Sequence, residues 1–349
     1  MRLRRLIALV TVMVIALLAP AAARAAIVPP PPTGPAPVGY LRLTLTDHHR
    51  RDPITPAGGL RRVVLRVFYP AAAAGPTPAS VLDDAERPAF AAAGGVPADA
   101  LIGLGGPATT LAPPAAGRHP VLLLSHGLGS STALLTAHAT DLASHGYVVV
   151  GIDHPGDALP VDIGAGRVVT PDPRGIRIVH LIYRTRVADV RFVLGRLATL
   201  RGAGRLDLTR VGGFGHSLGG AAMAGAMLAD PRLRAGVDLD GRLFGPVIRR
   251  GLTRPFGIMV GDPPTMPTIT AFRRHARGPH PLKTAAGTGH GAFTDVVWLA
   301  QQLGIDAPTR AGLGLGTVDA TVAVAQQRTW LLRFFDRYVR RVDATVSGR

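Results

Sequence analysis

The chain has 349 residues, with 43 glycines, 31 prolines, no cysteine and a formal net charge of +17. This length suits one large single-core domain, and the lack of cysteine excludes disulfides, thiolate nucleophiles and zinc–thiolate sites. The charge comes from scattered arginines, with Lys283 the only lysine; that pattern reads as a compositional skew rather than a nucleic-acid-binding stripe, and the net charge leaves contact with anionic lipid surfaces open.

Residues 1–25 read as a secretory signal peptide: Arg2, Arg4 and Arg5, an apolar run from Leu6 to Leu18, then Ala23-Arg24-Ala25 as the cleavage pattern. The run is shorter than the roughly 20 residues a membrane anchor needs, so the expectation is a secreted protein. Residues 26–38, "IVPPPPTGPAPVG" in their core, form a proline-rich spacer unsuited to helix or strand. Residues 39–349 form a single domain, which opens with two alternating segments, "YLRLTLTD" and "RRVVLRVFYP", expected as antiparallel strands. From Ala85 to His119 the chain is rich in alanine, glycine and proline without clear period, and is expected as an irregular surface insertion.

The pattern then changes. "PVLLLSHG" and "YVVVGIDH" are continuous apolar runs, joined by a helical stretch from Thr132 to His145, as in strands buried on both faces of a parallel sheet. Val179, Ile182, Tyr183, Val190, Val193, Leu194 and Leu197 share one helical face. "RVGGFGHS", "AGVDLD" and "PFGIMVGD" supply three further strands, and a last helix carries Trp330, Leu331, Phe334, Phe335 and Tyr338 on its apolar side. This alternation predicts an α/β fold with a mostly parallel sheet.

Gly215-His216-Ser217-Leu218-Gly219 matches G-x-S-x-G, set between a predicted strand and a predicted helix, where a nucleophile elbow lies. In that turn the serine backbone is strained and the positions two before and two after it must be small. The hydroxyl stands clear of the sheet at a helix N-terminus, whose dipole favours a developing oxyanion. Such a serine needs a base and an orienting acid. His290, on the glycine-rich loop "TAAGTGHGAFTD", is the candidate base; His275 and His280 lie in an arginine-rich polar stretch and read as surface. Two carboxylates compete for the acid, Asp240 in "GVDLDGRLF" and Asp262 in "IMVGDPP", with Asp238 a rival only if its strand ends early.

The blocks "LLLSHGLGSSTALLTAHATDLASHGYVVVGIDHPGDA", "GFGHSLGGAAM", "GVDLDGRLF" and "GTGHGAFTD" together resemble, in order from about Val38 to the His290 loop, the platelet-activating factor acetylhydrolases of the plasma and intracellular type II kind. The resemblance implies an α/β-hydrolase fold and a Ser217, Asp240, His290 triad. It also implies an oxyanion hole made by the backbone N–H groups of Leu218 and of Leu128 in His126-Gly127-Leu128-Gly129. The related cutinase-like polyester hydrolases keep their acid at the position of Asp262, so the choice of acid bears on the substrate. "GRLF" departs from the aromatic residue the family usually shows after Asp240. The implied activity is hydrolysis of short-chain or oxidised acyl esters of phospholipids; the alternatives are a cutinase-like esterase and a non-catalytic lipid- or partner-binding homologue. No cofactor or metal is implied: His48-His49 and the Asp153, His154, Asp157 group lack the spacing of a metal site, and His126 and His216 are expected to support loops.

Overall fold

The computed structural model of the protein describes residues 28–341 apart from 56–57, 95–97 and 263–265. The signal segment, residues 1–25, thus lies outside the described residues, and no described helix is long and apolar enough to cross a membrane. Eight principal strands build the sheet: β1 (Val38–Arg51), β2 (Leu60–Pro70), β3 (Arg118–Ser125), β4 (Val148–Asp153), β5 (Arg205–His216), β6 (Leu233–Leu239), β7 (Phe256–Val260) and β8 (Leu282–Thr284). Their spatial order is β8-β7-β6-β5-β3-β4-β2-β1, extended past β1 by the two-residue strands Thr109–Thr110 and Thr77–Pro78. β2 pairs antiparallel with both β1 and β4, while β3 to β8 run parallel. This is the α/β-hydrolase arrangement.

Alternation along β3 shows how the sheet is buried on both faces. Leu122 and Leu124 enter one core, with Phe214, Phe293, Trp298 and Phe335; Val121 and Leu123 enter the other, with Val190, Met223, Phe256 and Phe272. The first core is closed by α2 (Thr136–Ser144) and α6 (Ala320–Phe335), the second by α3 (Val179–Arg196), α4 (Leu218–Ala229) and α5 (Pro267–His275).

The 85–119 segment differs from its expected irregular form. It contains α1 (Arg87–Gly94) and a 3₁₀ turn at Ala98–Gly105, and Phe90, Leu101 and Leu104 are buried in the first core. Its many alanines and glycines dilute the apolar period, yet three large side chains suffice to dock it. The proline-rich spacer forms neither helix nor strand before Val38, but it is fastened down: Arg328 of α6 donates to the carbonyls of Pro30 (2.8 Å) and Pro31 (2.7 Å), and the Thr33 N–H and hydroxyl donate to Asp141 (2.8 and 2.9 Å).

Fully buried guanidinium groups tie the antiparallel edge to the parallel half. Arg66 of β2 pairs with Asp153 at the end of β4 (2.8 Å) and with Glu86 (2.7 Å), and Arg61 pairs with Asp189 of α3 (2.7 Å) and donates to the Pro155 carbonyl (2.7 Å). Burial works to raise the Asp153 carboxyl, but Arg66 and the Thr132 hydrogen bonds outweigh it and hold it down at about 2. Removing one member of such a set strands the others without solvent. Arg66→Met is therefore expected to cost about 3–5 kcal/mol in denaturant unfolding; a loss below about 1 kcal/mol, the level of an exposed pair, would refute the arrangement.

Candidate active site

The elbow serine sits at the junction of β5 and α4. Ser217 has φ 55° and ψ −122°, a strained conformation that points its hydroxyl away from the sheet, and its N–H donates to the Leu239 carbonyl at 2.9 Å. The flanking glycines are steric requirements. A Cβ on Gly215 would lie 2.3 Å from the Gly219 carbonyl carbon, and one on Gly219 would lie 2.0 Å from the Ser125 carbonyl oxygen at the end of β3. The helix and the adjacent strand thus each exclude a side chain on their own side of the serine.

His290 opens a 3₁₀ turn, His290–Phe293, in the loop after β8. Three contacts hold that loop. His216 Nε2–H donates to the His290 carbonyl (3.0 Å), Gln327 donates to the Ala292 carbonyl (2.9 Å), and Asp295 takes the Thr136 N–H (2.6 Å) at the start of α2. The imidazole Nδ1 donates to Asp240 Oδ2 at 2.6 Å, which fixes the tautomer and leaves Nε2 as the basic nitrogen. Nε2 is buried and has no hydrogen-bond partner among the described residues, Ser217 included, so its lone pair is unengaged.

Asp240 leaves β6 with φ 56°, which breaks the strand alternation and turns its carboxylate toward the histidine loop; its second oxygen accepts the Gly261 N–H at 2.8 Å. Asp262, the competing carboxylate, is exposed, and its carboxylate forms no hydrogen bond among the described residues. His275 and His280 bond only to nearby carbonyls of their own segment, Ala271 and Gly278.

Asp238 is neither rival nor surface residue. Its carboxyl is fully buried against Gly220 in the first turn of α4 and against Gly241, so that a Cβ on either glycine would lie 1.9 or 2.2 Å from Oδ1. Neither oxygen makes a well-formed hydrogen bond. Burial first, then the charge of Asp240, push its pKa well above the ordinary carboxyl value, and the nearby Gly241 amide offsets only part of this. The polar groups behind the serine are equally engaged: His126 and His154 are held neutral, at about 3 and about 4, by burial above all, with the Arg186 charge adding to it.

The expected oxyanion donors lie on either side of the serine. Leu218 is the first residue of α4, and Leu128 follows Gly127, where a Cβ would lie 3.4 Å from Ser217 Cβ. Among the described residues neither N–H donates to a side chain or a loop carbonyl. Leu128 and Leu218 also join an apolar wall with Ile178, Ile182 and Phe244; Phe244 is stacked on Tyr183 at 5.7 Å and met edge-on by His180 at 5.7 Å. The residues that resembled a metal group are otherwise occupied: Asp153 with Arg66, His154 with Asp189 (2.9 Å) and Asp157 with Arg186.

The proton held by folded Asp238 is lost from the unfolded chain above about pH 4. Its raised pKa therefore lowers stability as pH rises from that point toward the folded value. Asp238→Asn does not titrate, so its melting temperature relative to wild type is expected to climb as pH rises above about 4. Parallel melting curves over that range would show an ionised Asp238.

Comparison with known proteins agrees with this geometry. The family model described as platelet-activating factor acetylhydrolase, isoform II, matches residues 107–159, which contain the Leu128 loop. A protein from Arthroderma benhamiae named probable 1-alkyl-2-acetylglycerophosphocholine esterase is 33% identical over 137 residues, 38% of this chain and 34% of its own length. The platelet-activating factor acetylhydrolase of Bos taurus is 26% identical over 280 residues, 66% of this chain and 61% of its own. The chain thus spans between about a third and three-fifths of these curated relatives. Among solved structures, a ferulic acid esterase from Streptomyces cinnamoneus superposes with a TM-score of 0.78 and 31% identity, covering 93% of this chain and 97% of that one. Fold and full-length esterase likeness converge: the chain belongs to the α/β-hydrolase esterases, and over part of its length it is similar to the platelet-activating factor acetylhydrolases.

Proposed function

We propose that the protein is a secreted serine carboxylic-ester hydrolase in which Ser217 is the nucleophile, His290 the base and Asp240 the orienting acid. The observation that carries this reading is the 2.6 Å bond from His290 Nδ1 to Asp240, with Nε2 buried and unengaged, in a fold that sets Ser217 on a strained strand-to-helix elbow. His290 Nε2 takes the hydroxyl proton as Ser217 Oγ attacks the ester carbonyl. The N–H groups of Leu128 and Leu218 then hold the oxyanion, and the imidazolium returns the proton to the departing alcohol. Water, activated by the same nitrogen, releases the acid from the acyl-enzyme. The serine–histidine hydrogen bond, not formed among the described residues, forms on substrate binding in this reading.

Short-chain or oxidised acyl esters of phospholipids are the proposed substrates, supported by the names of the curated relatives. The cationic chain would favour contact with anionic lipid surfaces. A second reading, hydrolysis of aromatic acyl esters, draws on the ferulic acid esterase likeness and on the Phe244, Tyr183, His180 cluster flanking the apolar wall. Polyester hydrolysis of the cutinase kind loses support with the exposure of Asp262.

Ser217→Ala is expected to lower turnover on p-nitrophenyl esters by on the order of 10⁶, and Asp240→Asn by about 10⁴. Asp262→Asn should leave most of the activity. A folded Ser217→Ala variant retaining a tenth of wild-type turnover, or the reverse ranking of the two aspartates, would overturn the assignment. Rates on a short-chain phospholipid, on methyl ferulate and on a polyester film separate the substrates: the phospholipid should give the highest kcat/KM, and a preference for either of the others would replace it.

A further inference from the structure

The carbonyl oxygen of Gly127 is where three donors converge. Arg186 Nη2 approaches it at 2.9 Å, His126 Nδ1–H at 2.7 Å and the Ser130 N–H at 3.2 Å. The His126 tautomer is set, because its Nε2 accepts the His154 N–H at 3.2 Å and the proton must therefore lie on Nδ1. Arg186 also donates through Nη1 to the His126 carbonyl and through Nε to the Asp157 carboxylate, while the Asp157 carbonyl takes the Gly129 N–H at 3.1 Å. The guanidinium is fully buried on α3, on the same face as Ile182, Tyr183 and Val190. One planar fork thus grips two successive carbonyls and a carboxylate, a set that a lysine ammonium cannot match with its single centre.

The consequence follows from the peptide bond. The Gly127 carbonyl and the Leu128 N–H are two ends of one planar trans unit and point in opposite directions. Drawing the carbonyl toward Arg186 drives the N–H the other way. The adjoining Gly127 Cα lies against the elbow: a Cβ there would lie 2.8 Å from His216 Nδ1 and 3.4 Å from Ser217 Cβ. A peptide free to flip would present a carbonyl oxygen to the oxyanion in place of a donor. We propose that Arg186 is a positioning residue that aims the Leu128 N–H into the oxyanion hole through the shared Gly127–Leu128 peptide plane. This rests on the serine-esterase reading above. Arg186 touches no substrate, and its effect is confined to the tetrahedral species.

The test compares Arg186→Gln, Arg186→Lys and Asp157→Asn with wild type and Ser217→Ala. For each, kcat and KM are measured on p-nitrophenyl acetate, together with the inhibition constant of an aryl trifluoromethyl ketone, whose adduct with serine carries an alkoxide in the oxyanion hole. Losing a single oxyanion donor lowers kcat by about 10²–10³, so Arg186→Gln is expected near the lower end of that range. KM should be nearly unchanged and ketone affinity should fall by the same factor as kcat/KM. Arg186→Lys should fall between Gln and wild type. Asp157→Asn, which loosens the guanidinium without removing it, should show a smaller loss with the same pattern, and carries the test if Arg186→Gln does not fold. A purely structural ion pair would lower the melting temperature while leaving kcat and ketone affinity near wild type in the folded variants, and that result would overturn the proposal. Loss of kcat with ketone affinity retained would overturn it too. Activity that survives Ser217→Ala would overturn the esterase reading itself, and this assignment with it, whereas a Ser217-dependent enzyme indifferent to Arg186 would refute only the latter.

Discussion

The structure depends on a set of charges buried with no access to water. Arg61, Arg66 and Arg186 are fully buried, and so are their partners Asp153 and Asp189, while Asp157 is nearly so. Each ion is expensive to desolvate, and each is tolerable only because its oxygens or N–H groups are taken up by others in the set. The result joins elements that hydrophobic contact would leave free to slide. β2 is fastened to the end of β4 through Arg66, the start of β2 to α3 through Arg61, and α3 to the end of β3 through Arg186. The ends of β3 and β4 are where the loops around Ser217 begin. A core of leucine and valine fills volume but does not fix direction, whereas these bonds set the angles at which the loops depart.

The charges also explain how the histidines behind the serine remain neutral. His126 and His154 are close, with ring centroids 5.2 Å apart, and both are surrounded by arginine. Protonating either would add a cation to a dry site, so each serves as a fixed donor and acceptor rather than as an acid. His216, lowered by burial and by the neighbouring His290, behaves in the same way. Four histidines therefore cluster near the site, and two of them meet a carboxylate: His154 meets Asp189 at 2.9 Å, where that carboxylate is shared with Arg61, and His290 meets Asp240 at 2.6 Å.

Much of this was legible in the sequence, for a physical reason. Strands buried on both faces read as apolar runs, and "VLLLS" and "VVVGID" carried β3 and β4 directly. The elbow was legible because its glycines answer to steric demands that no other residue meets. The acid was only half legible, since Asp238 and Asp240 share strand parity. The turn to φ 56° that separates them is set by tertiary packing, not by a local motif. The 85–119 segment was misread because alanine carries little hydrophobic signal, yet Phe90, Leu101 and Leu104 marked its docked face. Arg186 and Asp189 did leave a trace: they interrupt an apolar helical stripe at Ile182, Tyr183, Val190 and Val193. A charge inside such a stripe signals a buried partner, though it does not name the partner.

The clasp between the proline-rich segment and α6 bears on the order in which the chain can be completed. Its bonds join Pro30 and Pro31 to Arg328, across nearly the entire described chain. Synthesis proceeds from the N-terminus, so residues 28–37 emerge long before the helix that receives them. Until α6 arrives, α2 lacks both its Gln327 contact at His138 and the cover of Phe334 and Phe335 over the first core. Contacts this distant in sequence close slowly and late. An incomplete chain would therefore hold the loops around Ser217 on a half-covered sheet, and α6, made late, acts as the closure of residues 28–37, made early.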